Sequence, residues 1–457
     1  MKLFSRLLLY VSLSTGLCHS TVSAADRPIA FPGAEGFGRH AIGGRLGADG
    51  NGSAEIYHVT NLNDSGEGSF REGVSRSGRI IVFDVSGTIH LESPLQVKGH
   101  NTILGQTAPG DGVQIYGNQV SFSGADELIV RHLRLRMGID GAPGKDACGA
   151  AYGENMIFDH VSVLWGKDEC FSISANNLDR GPRNITIQNS IIGQGLQTHS
   201  CGGLIQTNGG VTLYRNLYID NKTRNPKVKG ITQFVNNVVY NWGNGAAYNM
   251  SGNSERTSYA EISGNYFVKG PWIGATPPFV GGNDNFHFFA EGNYYDANLN
   301  GKPDGGEITA EDYEKCGGDR LADKTALNRG MAGQTTGSFS SFPEIEGLMS
   351  APEALEWVGR NAGASLPAHD EVNRYLLAQL SSYGTSGPER GISNEKLLPH
   401  KGTGYLRPGV RKADSDNDGI PDEWEIANGL DPHDGTDAVR LSPDGYTYIE
   451  EYVFTVR

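Results

Sequence analysis

Three short stretches carry side chains that could hold a hard cation and an anion side by side. Asp146 lies in Gly144-Lys145-Asp146-Ala147-Cys148, and Asp168 and Glu169 lie in Trp165-Gly166-Lys167-Asp168-Glu169-Cys170. Carboxylate oxygens grouped in this way favour a divalent ion such as calcium. Further along come His199 and then Asn221-Lys222-Thr223-Arg224-Asn225-Pro226-Lys227-Val228-Lys229. Lys222, Arg224, Lys227 and Lys229 fall within eight residues of a chain that is acidic as a whole. A cationic patch opposite a bound cation suits an anionic ligand bridged between them. A solvated turn with incidental charge is the competing reading of these residues alone.

Two further stretches have the oxygen spacing of a calcium loop. In the first, Asp414, Asp416, Asp418, Asp422 and Glu425 fall at positions one, three, five, nine and twelve. Gly419 sits at six for the sharp turn, and Ile420 offers its carbonyl at seven. In the second, Asp296, Asn298, Asn300, Asp304 and Glu307 repeat the spacing, with Lys302 contributing only its carbonyl. Pinning a loop is the expected role of both.

The elements that must position these groups show themselves as a repeat. An apolar pair, a His or Asn, and another apolar run recur with His132, His160, Asn189, Asn216, Asn237, Asn265 and Asn293 as markers. The intervals are 28, 29, 27, 21, 28 and 28 residues. A near-constant interval of this size signals a solenoid, whose coils bury their apolar faces only by stacking. The segments alternate at period two and are rich in Ile, Val, Phe and Tyr, so the coils consist of strands. The expectation is an all-β chain folded as a right-handed parallel β-helix, with the aligned Asn side chains forming a ladder. An all-β sandwich with chance Asn spacing is the alternative. One coil separates Asp146 from Asp168, which would bring their carboxylates to one face.

The chain has 457 residues and 64 glycines. Residues 1–25 combine Lys2 and Arg6, an apolar stretch and Val22-Ser23-Ala24, the pattern of a secretory signal peptide. Without them 36 basic face 52 acidic side chains, a net charge of −16. So acidic a protein is a poor candidate for non-specific nucleic-acid binding. No other run is long enough to span a membrane. A secreted, extracellular monomer is expected, with disulfides permitted. Cys148 and Cys170 are 22 residues apart, close to one coil, and are expected to pair. Asn51, Asn63, Asn184, Asn221 and Asn249 are possible glycosylation acceptors. Residues 26–345 are read as the β-helix and 346–400 as a helical segment packed on it. Residues 401–412 then form a linker to a C-terminal calcium-binding module over 413–457.

At this point the residues acquire a resemblance. The Gly-rich start Phe31–Gly38, Gln106-Thr107-Ala108-Pro109-Gly110-Asp111-Gly112, Asp159-His160-Val161-Ser162 and Arg224-Asn225-Pro226-Lys227 resemble the pectate lyase family of β-helical polysaccharide lyases. The resemblance covers about residues 28–300. It implies calcium-assisted β-elimination of α-1,4-polygalacturonate. Arg224 would be the base, Lys229 would hold a substrate carboxylate, and Asp146 and Asp168 would bind catalytic calcium. His199 falls near a substrate-binding lysine of the family. The chain departs from the pattern at Ser172, where the family usually has an aspartate; either Glu169 substitutes for it or the metal binds mainly through substrate. A pectin lyase acting on methyl-esterified polymer would need fewer cations. A galacturonan hydrolase would need paired acids at glycosidase spacing, for which Asp168 and Glu169 are the candidates. A non-catalytic wall-binding β-helix would keep the solenoid and have no use for Arg224.

Overall fold

The computed structural model describes residues 28–251 and 256–456; the signal-peptide reading of residues 1–25 lies outside them. The chain winds into a parallel β-helix with three strand faces per coil. The first face stacks strands from Glu55–Val59 and Arg79–Phe83 through Glu154–Asp159 to Phe286–Glu291. The third is a ten-stranded sheet beginning at Gly87–His90. Its last strand, Gly306–Glu307, is antiparallel to Tyr294–Asp296, which leaves nine parallel rungs. The second face is built from short strands: Val120–Ser121, Cys148–Ala150, Phe171–Ser174, and the first residues of Leu204–Tyr214 and Lys227–Val235.

Period-two alternation explains the core. On the first face Val130, Phe158, Ile187, Leu213, Phe234, Ile262 and Ala290 lie directly above one another in register. All belong to one buried cluster inside the coil. A one-residue slip would turn this whole line outward, so the register is strongly specified.

The Asn ladder forms, though not along every expected marker. Asn216, Asn237, Asn265 and Asn293 are its rungs: each side-chain amide donates to the Oδ1 of the next, at 3.0, 3.2 and 2.8 Å. Each Oδ1 from Asn237 onward also accepts the backbone N–H of the preceding rung. In the earlier coils Ser190 holds the equivalent place, and its N–H donates to Asn216. His132, His160 and Asn189 occupy the position before it. Arg215, Asn236, Gly264 and Gly292 share that position, and all of them have positive φ. The markers therefore mix two adjacent turn positions. The two histidines do not join the ladder; their rings stack 4.7 Å apart.

Covering segments close two of the three faces. The Gly-rich start lies across the first, where Gly38 N–H donates to Thr186 Oγ1 and Glu35 N–H to Gln188 Oε1. A Cβ at Gly38 would come 2.3 Å from the Met156 carbonyl, so only glycine allows this approach. The helix Lys324–Met331, which the sequence reading did not contain, packs on the same face through Leu327 and Met331. On the third face lie the expected helices, Ala351–Asn361 and Glu371–Leu380. Leu355, Val358, Leu376 and Leu380 pack there on Ile191, Leu217, Val238 and Tyr266. Residues 401–412 run pinned along the coils instead of hanging free, with Arg407 on Asp111 and Arg411 on Asp84. The C-terminal module packs Ile420, Ala438, Ile449 and Val453 against Ile80, Val82 and Leu104 of the first face.

The expected disulfide is absent: Cys148, Cys170, Cys201 and Cys316 are all free and buried. The coil is one residue longer than the 22-residue spacing, so Cys148 stands in register with Phe171. The Cys170 thiol donates instead to the Gly193 carbonyl at 3.2 Å. Asn221, one of the five possible glycan acceptors, is fully buried and hydrogen-bonded to Asn225, so the folded chain closes that position.

Candidate active site

With the other faces covered, the cleft opens over the second face. Its outward residues run across the coils as Ser121, Gly149, Ser172, Leu204 and Lys227, each in register with the next or joined to it through neighbouring pairs. A second row places Ser174, Gln206 and Lys229 beside it. A cavity of about 360 Å³ lies here, lined among others by Asp146, Asp168, Glu169 and Ser172.

One corner of each coil brings the acids together. Glu169, Cys201 and Thr223 pair in parallel on three successive coils. Ligand atoms of Asp168, Glu169 and Cys201 lie within 4.8 Å of one another. Asp146 joins through Glu169, whose N–H donates to Asp146 Oδ1 at 3.1 Å. Asp168 stands on the other side, with Oδ1 3.7 Å from His199 Nδ1. That oxygen is buried and has no hydrogen-bond partner. Burial and the Asp146 charge push the Glu169 carboxyl up to about 8, against the pull of Arg224. Burial raises Asp146 as well, while Glu169 and Ser172 bond to it and hold it down. Three crowded carboxylates and an orphaned oxygen fit a hard cation, which would replace the shared protons. Ser172, at the departure from the family pattern, is thus a hydrogen-bond partner of Asp146.

The cations come from the coil above. Arg224 follows Thr223 at a left-handed φ of 58° and ion-pairs with Glu169 through Nη1. Burial opposes its charge, but Cys201 and Glu169 overcome this and raise its affinity for the proton. Lys227 and Lys229 project from the same strand two residues apart. Burial, and then the charges of Lys229 and Arg224, lower Lys227. Lys222 is half-buried two residues before Arg224, and its N–H donates to Ser200 Oγ. Sequence reasoning missed Cys201, buried between Glu169 and Arg224 with its thiol pushed up to about 12 by burial. Its spacing of 32 residues from Glu169 and 22 from Thr223 was the available signal.

The two loop candidates lie elsewhere. In the loop at 296–307 the amides of Asn298 and Asn300 donate to Asp304 at 2.7 and 2.9 Å. Asn300 Oδ1 accepts the Lys302 N–H, and Asp296 keeps a buried Oδ2 without a partner. Glu307 is exposed on the closing strand. In the C-terminal loop Asp414, Asp416 and Asp418 converge, and Asp418 also meets Glu425. Ile420 is buried in the apolar contact with the solenoid. Asp422 departs from expectation: its carboxylate accepts from Ser415 N–H and Oγ at 2.6 and 2.8 Å, at the exposed start of a helix.

A parallel β-helix with acids and cations opposed across an open cleft places the chain in the class of β-helical polysaccharide lyases, and comparison with known proteins narrows it further. The chain is 52% identical over 437 residues to a probable pectate lyase C from Aspergillus terreus, covering 95% of this chain and 94% of that one. A probable pectate lyase C from Aspergillus flavus is 48% identical over 433 residues, 95% of each chain. Putative pectate lyase 21 from Arabidopsis thaliana is 27% identical over 259 residues, 51% of this chain and 61% of that one. Among solved structures, the major allergen from cedar pollen matches with a TM-score of 0.51 at 18% identity, covering 72% of this chain and 92% of its own, a likeness of fold. No family model matches the chain. The chain belongs to the pectate lyase family.

Proposed function

We propose that the protein is an extracellular enzyme that cleaves polygalacturonate by β-elimination, with calcium at Asp146, Asp168 and Glu169. The observation that carries this reading is the opposition of those acids to Arg224, Lys227 and Lys229 across two coils. Lys227 and Lys229 bind uronate carboxylates along the cleft. Calcium, when bound, supplies a Lewis acid that draws charge from the carboxylate next to the reacting C5. Arg224, after giving its own proton to water, takes the C5 proton as a neutral guanidine, the C4–O bond breaks with its electron pair on oxygen, and a C4=C5 double bond forms. The leaving oxygen takes its proton from water.

Arginine gives up its proton with difficulty, and the Glu169 ion pair makes the neutral base rarer still. The same geometry suggests the remedy. A Glu169 carboxylate engaged with a cation no longer pairs with Arg224, so filling the acid site frees the guanidinium to turn toward substrate. Absorbance of unsaturated uronate products on polygalacturonate is expected to rise with calcium and to vanish in chelator. Equal rates in chelator, or faster release from fully methyl-esterified pectin, would favour the pectin lyase reading.

A further inference from the structure

Outside the cleft, a cluster of acids, most of them buried, lies where the C-terminal module meets the first coils. Asp414, Asp416 and Asp418 offer carboxylate oxygens within 4.8 Å of one another, and so do Asp418, Glu425 and Asp437. Asp418, Glu425 and Asp437 are only 2%, 0% and 2% exposed. Even so, Asp418 Oδ2, both Glu425 oxygens, Asp437 Oδ1 and both Asp416 oxygens are buried with no hydrogen-bond partner. Buried carboxylates without donors are costly unless a cation coordinates them. Asp437 was not legible as part of the loop, since it follows Glu425 by twelve residues. Its other oxygen accepts the Asp431 N–H at 3.3 Å, which leaves Oδ1 facing the cluster.

The cluster is wired into the contact with the solenoid. Ile420 follows Asp418 by two residues and Ala438 follows Asp437 directly, and both pack on Ile80, Val82 and Leu104. Beside them, His58 Nε2 lies 3.0 Å from the Asn417 carbonyl, and Arg411 donates to Asn417 Oδ1 at 2.8 Å. Arg45 grips Glu450 with two bonds of 2.7 and 3.0 Å. We propose that Asp414, Asp416, Asp418, Glu425 and Asp437 form a second divalent-cation site, distinct from the cleft, whose ion clasps the C-terminal module onto the first coils. An all-oxygen, all-carboxylate donor set selects a hard ion, and five carboxylates suit the high, flexible coordination of calcium over the water-rich octahedron of magnesium.

The test compares the full-length wild type with Asp437→Asn and Asp422→Asn, in chelator and in millimolar calcium. Equilibrium dialysis counts bound calcium, and thermal unfolding gives the midpoint. Asp437→Asn is expected to bind one calcium fewer. It should unfold later than wild type in chelator, because one repelling charge is gone, and earlier in calcium by about 3–6 °C. Asp422→Asn should keep the wild-type count. Hydrogen exchange in Arg79–Phe83 should slow on adding calcium to wild type and not to Asp437→Asn. A wild-type calcium count in Asp437→Asn, or a variant weakened equally in both conditions, would overturn the site. Exchange in Arg79–Phe83 that ignores calcium would overturn the clasp. Glu425→Gln gives the same readings should Asp437→Asn not fold.

Discussion

Arg224 shows how little a residue type says without its partner. Its charge could hold substrate or, deprotonated, could take a proton; the Glu169 carboxylate beside it decides which is available. Lysine at this position keeps the positive charge but loses the planar fork. Arg224→Lys is expected to lower kcat on polygalacturonate by about 10³-fold, the range of a lost general base. Circular dichroism and the unfolding midpoint should stay as in wild type. A loss confined to KM would assign Arg224 to substrate binding. A second buried acid gives a pH test away from the cleft. Asp220 is fully buried and accepts from Asn241 at 2.7 Å and Gln194 at 3.3 Å. Burial pushes its carboxyl up from 3.8 to about 7, against those two bonds. The folded state therefore holds a proton that the unfolded state releases, and the penalty grows as pH rises from about 4 to about 7 and then levels off. Asp220→Asn mimics the protonated form. It should be more stable than wild type at pH about 9, by up to roughly 4 kcal/mol, and no more stable at pH about 4. Midpoints from denaturant titrations at the two pH values check the crossover.

At the scale of elements, the repeat works because polar groups at the corners are satisfied by the next coil. Asn265 is a central rung. Its Oδ1 accepts both the N–H and the side-chain amide of Asn237, and its amide donates to the Phe234 carbonyl and to Asn293. Asn265→Ala leaves buried backbone groups unpaired and should cost about 2–5 kcal/mol, since each orphaned group costs about 1–3. A lowered denaturant midpoint at unchanged slope is the expected signature; a change under about 0.5 kcal/mol would mean that water takes over the rung. The turn position before the ladder follows a different rule. It needs a left-handed backbone, which His132, His160, Asn189 and Arg215 adopt with φ between 51° and 55°. Their shared conformation, not a shared side chain, is what repeats.

Across the whole molecule, the covered faces determine where function can sit. The helical segment seals the third face with a buried charge cluster. Asp370 caps the helix Glu371–Leu380 and accepts from Arg136, with Arg134 Nε 3.7 Å away. Both arginines are buried, and burial pushes Arg134 down to about 10 despite Asp370. Removing the acid leaves two uncompensated charges under the helices. Asp370→Asn should destabilise the fold by about 3–5 kcal/mol, and proteolysis should begin in the segment at 346–400. Cleavage starting instead at the cleft loops would show that the cluster does not hold the helices in place.

The sequence alone determined the solenoid, its spacing and the family resemblance, because stacking coils impose a period that apolar residues and Asn rungs must keep. It also placed Asp146, Asp168, Glu169 and the Lys–Arg run within three coils of each other. It misjudged what depends on register by a single residue. Cys148 meets Phe171 and not Cys170, and the ladder starts at Ser190 and not at the histidines. Interval counting carries that much error wherever a turn gains or loses a residue. Tertiary structure alone decided the partners across distance. Arg224 pairs with Glu169, Asp437 joins the C-terminal acids, and the C-terminal module packs on Ile80 and Val82. Those contacts join segments tens to hundreds of residues apart, whose meeting is set by how the covering segments fold back over the coils and leaves no period in the chain to read.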